Sequence, residues 1–456
     1  MDFFAVNGKR PVRLSEPTRQ FAHESLNHKY GKETVLTPVV ELDDVAGFES
    51  LTEIEKYDVA IERIVSRAPV RICSGERVSG SATLGTAMYH TVPVTYKGER
   101  VFSSSISHLT VDLETVLKRG VDHIRRTAES ALEQYRGTEK EPFSRSCLHC
   151  INCLEIYRQR YLTALAAAGE DYQENLACLR RVPFAPAESF YEAVQSLWFT
   201  FSFLRLCGNW PGVGRIDWLL GDYLKSDLEN GTITLEEARE ILAHFFIKGC
   251  EWVRGGNYGS GDAQHYQNIV LAGVDENGQE VTNEVTYLVL DILEELSISD
   301  FPTTVRVNRN TPPALLRRVA EVIRLGGGVV AVYNEELIIE SLVNDGYPLL
   351  EARKFANDGC WEIQIPGKTC FGYIPFDALA VLQRMTLREY GEEVTFDSYE
   401  ALYSRFTADL SRQVEGMVAQ IRQNFILDEA ASSVPSGDWK WPPNPPCTVV
   451  SLFEQG

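Results

Sequence analysis

The segment Phe-Ala-Asn-Asp-Gly-Cys-Trp-Glu, residues 355–362, sets a thiol and a carboxyl two positions apart, Cys360 and Glu362. On an extended strand, side chains at that spacing face one side, and Gly359 permits a tight backbone turn just before them. A lone cysteine in an α/β protein is ordinarily a small buried hydrophobe. The carboxyl changes that reading. If the two groups share an interior pocket, Glu362 is expensive to bury unless it is paired, protonated or working as an acid or base.

Other residues have types and spacings that suit chemistry. Arg215 and Asp217, in Gly-Val-Gly-Arg-Ile-Asp, can contact a substrate or pair with each other as an internal ion pair. Cys147, Cys150 and Cys153 follow one another at three-residue spacing, which suits an iron–sulfur cluster or zinc. No fourth ligand accompanies them, and on a helix such a row is only a stripe along one face. The reading is therefore no metal, with a metal–thiolate redox protein as a distant alternative. The Gly-rich loop 254–267 can border a pocket or merely make turns, and Cys370 can approach Cys360 through its loop.

These residues need elements to position them. Segments 113–136, 186–206 and 234–253 repeat apolar residues at helical spacing, the last opening with a Thr-x-x-Glu capping box. Short β-branched runs at 268–273, 303–307 and 328–333 alternate with further helical segments. Strand and helix in alternation imply right-handed parallel crossovers and an α/β sheet or barrel. The first 60 residues carry weaker patterns, and the proline-rich stretch 432–456 reads as extended chain.

Composition bounds the function. The chain has 456 residues, 44% of them hydrophobic, enough for a large core. A formal charge of −20 argues against a phosphate-binding surface and so against nucleic acid as partner. The N-terminus lacks a charged region followed by an apolar one, and no run of about 18 apolar residues occurs. A cytoplasmic location without a membrane partner is expected, with the ten cysteines mostly reduced.

Several stretches in order resemble the glycyl radical enzymes, the superfamily of pyruvate formate-lyase and glycerol dehydratase. They are "VPFAPAESFYEAVQSLWF", "GVGRIDWLLGDYLKSDLENGTITLEEAREIL", "NIVLAGVDENGQEVTNEVTYLVL", "TTVRVNRNTPPALLRRVAEVIRLGGG" and "YNEELIIESLVNDGYPLLEARKFANDGCWE", within residues 109–387. The resemblance implies a ten-stranded α/β barrel of the pyruvate formate-lyase type surrounded by helices, one domain over 1–456. Residues 1–108 pack on it, and a finger loop around 357–366 carries Cys360 at its tip. It also implies that the Cys360 thiol gives its hydrogen to a glycyl radical and that the thiyl then takes a hydrogen atom from substrate. Glu362 matches the family's proton carrier. His108 falls where the dehydratases place a histidine on a substrate hydroxyl; its other reading is a histidine satisfied by a helix N-terminus.

Neighbouring residues narrow the reaction. Trp361 stands where pyruvate formate-lyase has a second cysteine, which disfavours acyl transfer, and Glu362 favours eliminases and decarboxylases over fumarate-adding synthases. The aspartate that grips a diol in glycerol dehydratase is not matched after "PGKT", which puts a vicinal diol substrate in doubt. Arg77-Val78-Ser79-Gly80 is similar to the radical-bearing loop, but it precedes the barrel helices and lacks the following aromatic. The expected C-terminal glycyl radical domain is absent from these residues. The implied function is elimination of a C–O, C–N or C–S bond in a small polar substrate. The alternatives are a glycyl radical decarboxylase, or a non-catalytic barrel remnant that serves as a scaffold. The implied cofactor is a glycyl radical installed by an S-adenosylmethionine-dependent iron–sulfur activating enzyme. Implied partners are that enzyme, a separate glycyl radical domain protein and a second copy in a homodimer.

Overall fold

A computed structural model of the chain describes residues 10–26, 40–68, 70–81, 94–102, 107–250, 267–298, 301–326, 330–359, 361–369, 376–389, 391, 394–425 and 448–453. Contacts group the chain into two units, Met1–Cys370 with Pro445–Gly456, and Phe371–Asn444.

In the first unit, β1 (Val40–Glu41), β2 (Val94–Tyr96) and β3 (Glu99–Phe102) form a small mixed sheet. β4 (Ser107–Thr110) pairs in parallel with β5 (Trp210–Gly212). β6 (Gly214–Arg215), β7 (Ile269–Ala272), β8 (Thr303–Val307) and β9 (Val330–Asn334) form a four-stranded parallel sheet in that order. An antiparallel hairpin, β10 (Ala356–Asp358) and β11 (Glu362–Gln364), packs its first strand against β4, β5, β6 and β7. The helices Glu284–Leu296 and Pro313–Ile323 make the crossovers from β7 to β8 and from β8 to β9. This is the α/β architecture expected. Among the described residues β4 to β9 supply six strands with parallel partners.

Local sequence accounts for the boundaries. Thr234 and Glu237 form the capping box of the helix Leu235–Gly249, as the Thr-x-x-Glu pattern predicts. The helix Phe190–Leu206 is apolar on nearly every face, and it lies in the core with almost all its side chains buried. The expected helix over 113–136 is two helices, Leu113–Arg119 and Val121–Gln134. They break at Gly120, whose φ of 75° is left-handed and whose missing Cβ leaves room for the Phe184 carbonyl. The next two N–H groups are then free to reach out of the helix, Val121 to Pro183 O and Asp122 to Phe184 O.

Two tempting motifs are explained by packing. Cys147, Cys150 and Cys153 lie on the helix Glu141–Ala168, and burial pushes all three thiols up, Cys147 to about 12. Among the described residues no group of three His, Cys, Asp or Glu could hold a metal ion. Arg77–Gly80 runs along the core helix: Gln195 clasps the Ser79 backbone at both its N–H (2.8 Å) and its carbonyl (2.7 Å), and Trp198 Nε1 donates to Gly80 O at 3.1 Å.

Part of the proline-rich stretch departs from extended chain. Thr448–Ser451 is a short helical turn, because Val449, Val450 and Phe453 are apolar and buried. The segment is held by Val449 N to Tyr57 Oη and by Asp112 N to Phe453 O. Residues 426–447 lie outside the described residues. The second unit is built on the helix Tyr399–Phe425, whose buried Asp409 accepts from Thr386 Oγ1 and from Arg405 Nε. No helix among the described residues is long and apolar enough to cross a membrane.

Candidate active site

The hairpin β10–β11 is a finger fixed at base and tip. At the base, the buried guanidinium of Arg306 donates to the carbonyls of Phe355 (2.9 Å) and Arg353 (2.8 Å), and lies 3.9 Å from the Phe355 ring centre. Glu335 closes an ion pair with it. Burial, with Arg215 nearby, pulls the Arg306 pKa down to about 9 against the opposing pull of Glu335. Gly367 N returns the finger to β4 by donating to Thr110 O at 2.7 Å.

At the tip the strand pattern ends. Gly359 and Trp361 both have left-handed backbones, with φ of 58° and 85°. Strand pairing therefore stops at Asp358 and resumes at Glu362, where the sequence points to strand alternation from Cys360 onward. The carbonyls on either side of position 360 are both held by side chains: Asn268 Nδ2 donates to Gly359 O at 3.1 Å and Tyr333 Oη donates to Trp361 O at 2.5 Å. Burial raises the Tyr333 pKa to about 12, so it stays a phenol and a donor.

His108 arrives from β4. A Cβ built on Gly359 would collide with the His108 ring, and would stand 2.6 Å from His108 Nε2 and 2.5 Å from Glu362 Oε2. The imidazole and the carboxyl thus meet at the residue before Cys360, about 5 Å apart or closer, inside the range where one charge moves the other's pKa. Burial lowers the His108 pKa and the Glu362 charge opposes it, so the ring is neutral at pH 7 and offers one donor and one acceptor. Asp358, fully buried, accepts the Leu109 N–H at 3.0 Å, and burial drives its carboxyl well above the usual carboxylate range.

Of the residues singled out by sequence, His108 and Glu362 come together. Cys360, Cys370 and residues 254–266 lie outside the described residues. Arg215 and Asp217 engage the backbone of a single residue, Ala272, at the end of β7. Arg215 Nη2 donates to Ala272 O at 3.1 Å, and Asp217 Oδ2 accepts from Ala272 N at 2.6 Å and from Thr286 Oγ1 at 2.7 Å. Ala272 has a left-handed φ of 61°, which this two-sided grip holds in place. Arg215 also lines a cavity of about 220 Å³ with Thr110, Asp112, Trp218, Lys354 and Lys368, beside the base of the finger.

Asp358, Tyr333, Asn268 and the Arg306–Glu335 pair were not singled out by sequence. One signal was available for Asp358: Asn357 and Asp358 are two polar residues in a strand whose flanks are apolar, and both are fully buried.

Residues 76–423 match the sequence profile of the PFL-like family, described as pyruvate formate lyase-like. The chain is 31% identical over 321 residues to the isethionate sulfite-lyase of Oleidesulfovibrio alaskensis, an alignment that covers 64% of this chain and 38% of that protein. It spans little more than a third of that relative's length. In fold it is similar to a solved structure described as 1,2-propanediol dehydration in Roseburia inulinivorans, with a TM-score of 0.75 at 21% identity, over 97% of this chain and 66% of the other. A glycyl radical enzyme from Archaeoglobus fulgidus gives a TM-score of 0.71 at 21% identity, over 100% of this chain and 67% of the other.

Proposed function

Because the chain belongs to the pyruvate formate lyase-like family, we propose that it forms the substrate-binding barrel of a glycyl radical lyase that breaks a C–O, C–N or C–S bond in a small hydroxylated substrate. The single observation that carries this reading is the meeting of His108 and Glu362 at Gly359, the residue before Cys360. A scaffold has no need of an imidazole and a carboxyl gathered at a buried turn, since burying them costs free energy.

A glycyl radical, installed by an S-adenosylmethionine-dependent activating enzyme, would supply the unpaired electron, and Cys360 would receive it by giving up its thiol hydrogen atom. The tight approach of His108 and Glu362 to Gly359 leaves the finger tip as the place where such a thiol meets its substrate. The Cys360 sulfur then takes a hydrogen atom from the hydroxyl-bearing carbon, breaking C–H and forming S–H. Glu362 removes the proton of that hydroxyl, or passes one to the group leaving the adjacent carbon, as that bond breaks. The product radical takes the hydrogen atom back from the thiol. His108, neutral, orients the hydroxyl, while Asn268 and Tyr333 hold the turn against the barrel so that sulfur and C–H bond stay close.

The test separates the radical step from the proton step. The chain, supplied with a glycyl radical domain in cis or as a separate protein and activated, is incubated in D₂O with isethionate and with propane-1,2-diol, compounds named for two of the similar proteins. Because the thiol exchanges with solvent, Glu362→Gln is expected to wash deuterium into a recognised compound while releasing no product, and Cys360→Ser to do neither. Near-normal product release from Glu362→Gln would remove that residue from the reaction.

A further inference from the structure

The carboxyl of Asp358 crosses from the finger to β4. Its Oδ2 accepts the N–H of Leu109, the residue that follows His108, at 3.0 Å. The chain departs from regular strand geometry at His108, whose φ of 62° is left-handed. A residue with a Cβ is strained in this conformation, which persists only where the surroundings over-determine it. The pairing of β4 with β5 shifts register between Ser107 and Thr110, across the same residue. Close quarters on the far side fit the same picture, because a Cβ on Gly212 would stand 2.9 Å from Asp358 Oδ1.

Resting on the reading of the finger tip as the substrate site, we propose that Asp358 is a positioning residue. It holds His108 in its left-handed backbone conformation, so that the imidazole lies against Gly359 and Glu362, where the substrate hydroxyl is bound. Side-chain direction follows from backbone φ: with His108 in an extended conformation its Cβ points elsewhere, and the ring leaves the tip. Burial favours the neutral acid at Asp358. An asparagine amide matches this carboxyl in shape and in acceptor oxygen.

The test reads the His108 ring directly and needs no turnover, so it stands or falls separately from the lyase reading. The full chain is labelled at its histidine ring carbons and the His108 resonance is titrated. The titratable groups facing it are Glu362 on β11 and Asp358 on β10, with Tyr333 on β9 beyond Glu362. With Asp358 intact, Glu362→Gln is expected to lower the His108 midpoint by roughly one pH unit, since it removes a carboxylate close to the ring. In Asp358→Asn that response is retained; in Asp358→Ala it is lost. A response that survives in Asp358→Ala, or that disappears in Asp358→Asn as well, overturns the proposal. If Asp358→Ala does not fold, His108→Gly is added, because glycine adopts the left-handed backbone freely. Recovery of folding in the double variant supports the proposal, and failure to recover contradicts it.

Discussion

His108 and Glu362 reach the same point from strands that are 254 residues apart in the chain, and that point is the space a side chain would occupy on Gly359. Glycine is therefore required there twice over, by its φ of 58° and by the two groups that close on it.

Gly359→Ala is expected to leave the barrel folded and to reduce turnover by about 100-fold or more, because a shift of about 1 Å at a reacting centre costs that much. Circular dichroism checks the fold and product release checks the rate. An alanine variant with full activity would show that the imidazole and carboxyl do not have to stand where they do.

The base of the finger makes a stability prediction. Arg306 and Glu335 are both buried, with 0% and 1% of their side chains exposed. Glu335→Gln leaves the Arg306 charge without its counter-charge beside Arg215, at an expected cost of about 3–5 kcal/mol. Urea unfolding measures it. Turnover should fall as well, since Arg306 holds the Phe355 and Arg353 carbonyls. A loss below about 1 kcal/mol would place the pair among ordinary surface-like contacts.

Acid sensitivity is expected to centre on His244. Its Nδ1 accepts the Arg77 N–H at 3.2 Å, so the proton of the neutral ring is on Nε2, facing Thr18 Oγ1 at 3.2 Å. Burial, with Arg77 and Lys248 nearby, lowers its pKa to about 3. The folded pKa lies below the unfolded value of about 6.5. The unfolded chain therefore binds the proton first, and stability present above pH 6.5 is lost as pH falls from there towards 3. His244→Gln should flatten that slope in urea titrations run between pH 7 and 4. An unchanged slope would assign acid unfolding to other groups.

Much of the frame is legible in the sequence, because β-branched runs and apolar helical spacing survive tertiary context: the run Thr-Thr-Val-Arg-Val is β8 to the residue. Glu362 is legible as a carboxyl in an apolar run. The turn at the tip is not, since a left-handed φ on Trp361 follows from the grip of Tyr333 on its carbonyl rather than from residue type. Nor is the arrangement of Arg215 and Asp217, which read as substrate contacts or a mutual pair but hold the carbonyl and the N–H of Ala272, 55 residues beyond Asp217. Asp358 reads as a polar residue introducing a glycine turn. Its burial against β4 depends on a strand about 250 positions earlier, which no local pattern reports.

The most direct test of the account supplies the chain with a glycyl radical domain, activates it and compares Cys360→Ser with the parent on isethionate, propane-1,2-diol and related small hydroxylated compounds, with electron paramagnetic resonance confirming equal radical content. Serine keeps the size of the side chain, but its O–H bond is too strong to exchange hydrogen with a glycyl radical. The parent is expected to release product from at least one compound, and Cys360→Ser to release none while retaining the radical signal. Product release by Cys360→Ser at a rate near that of the parent would contradict the account.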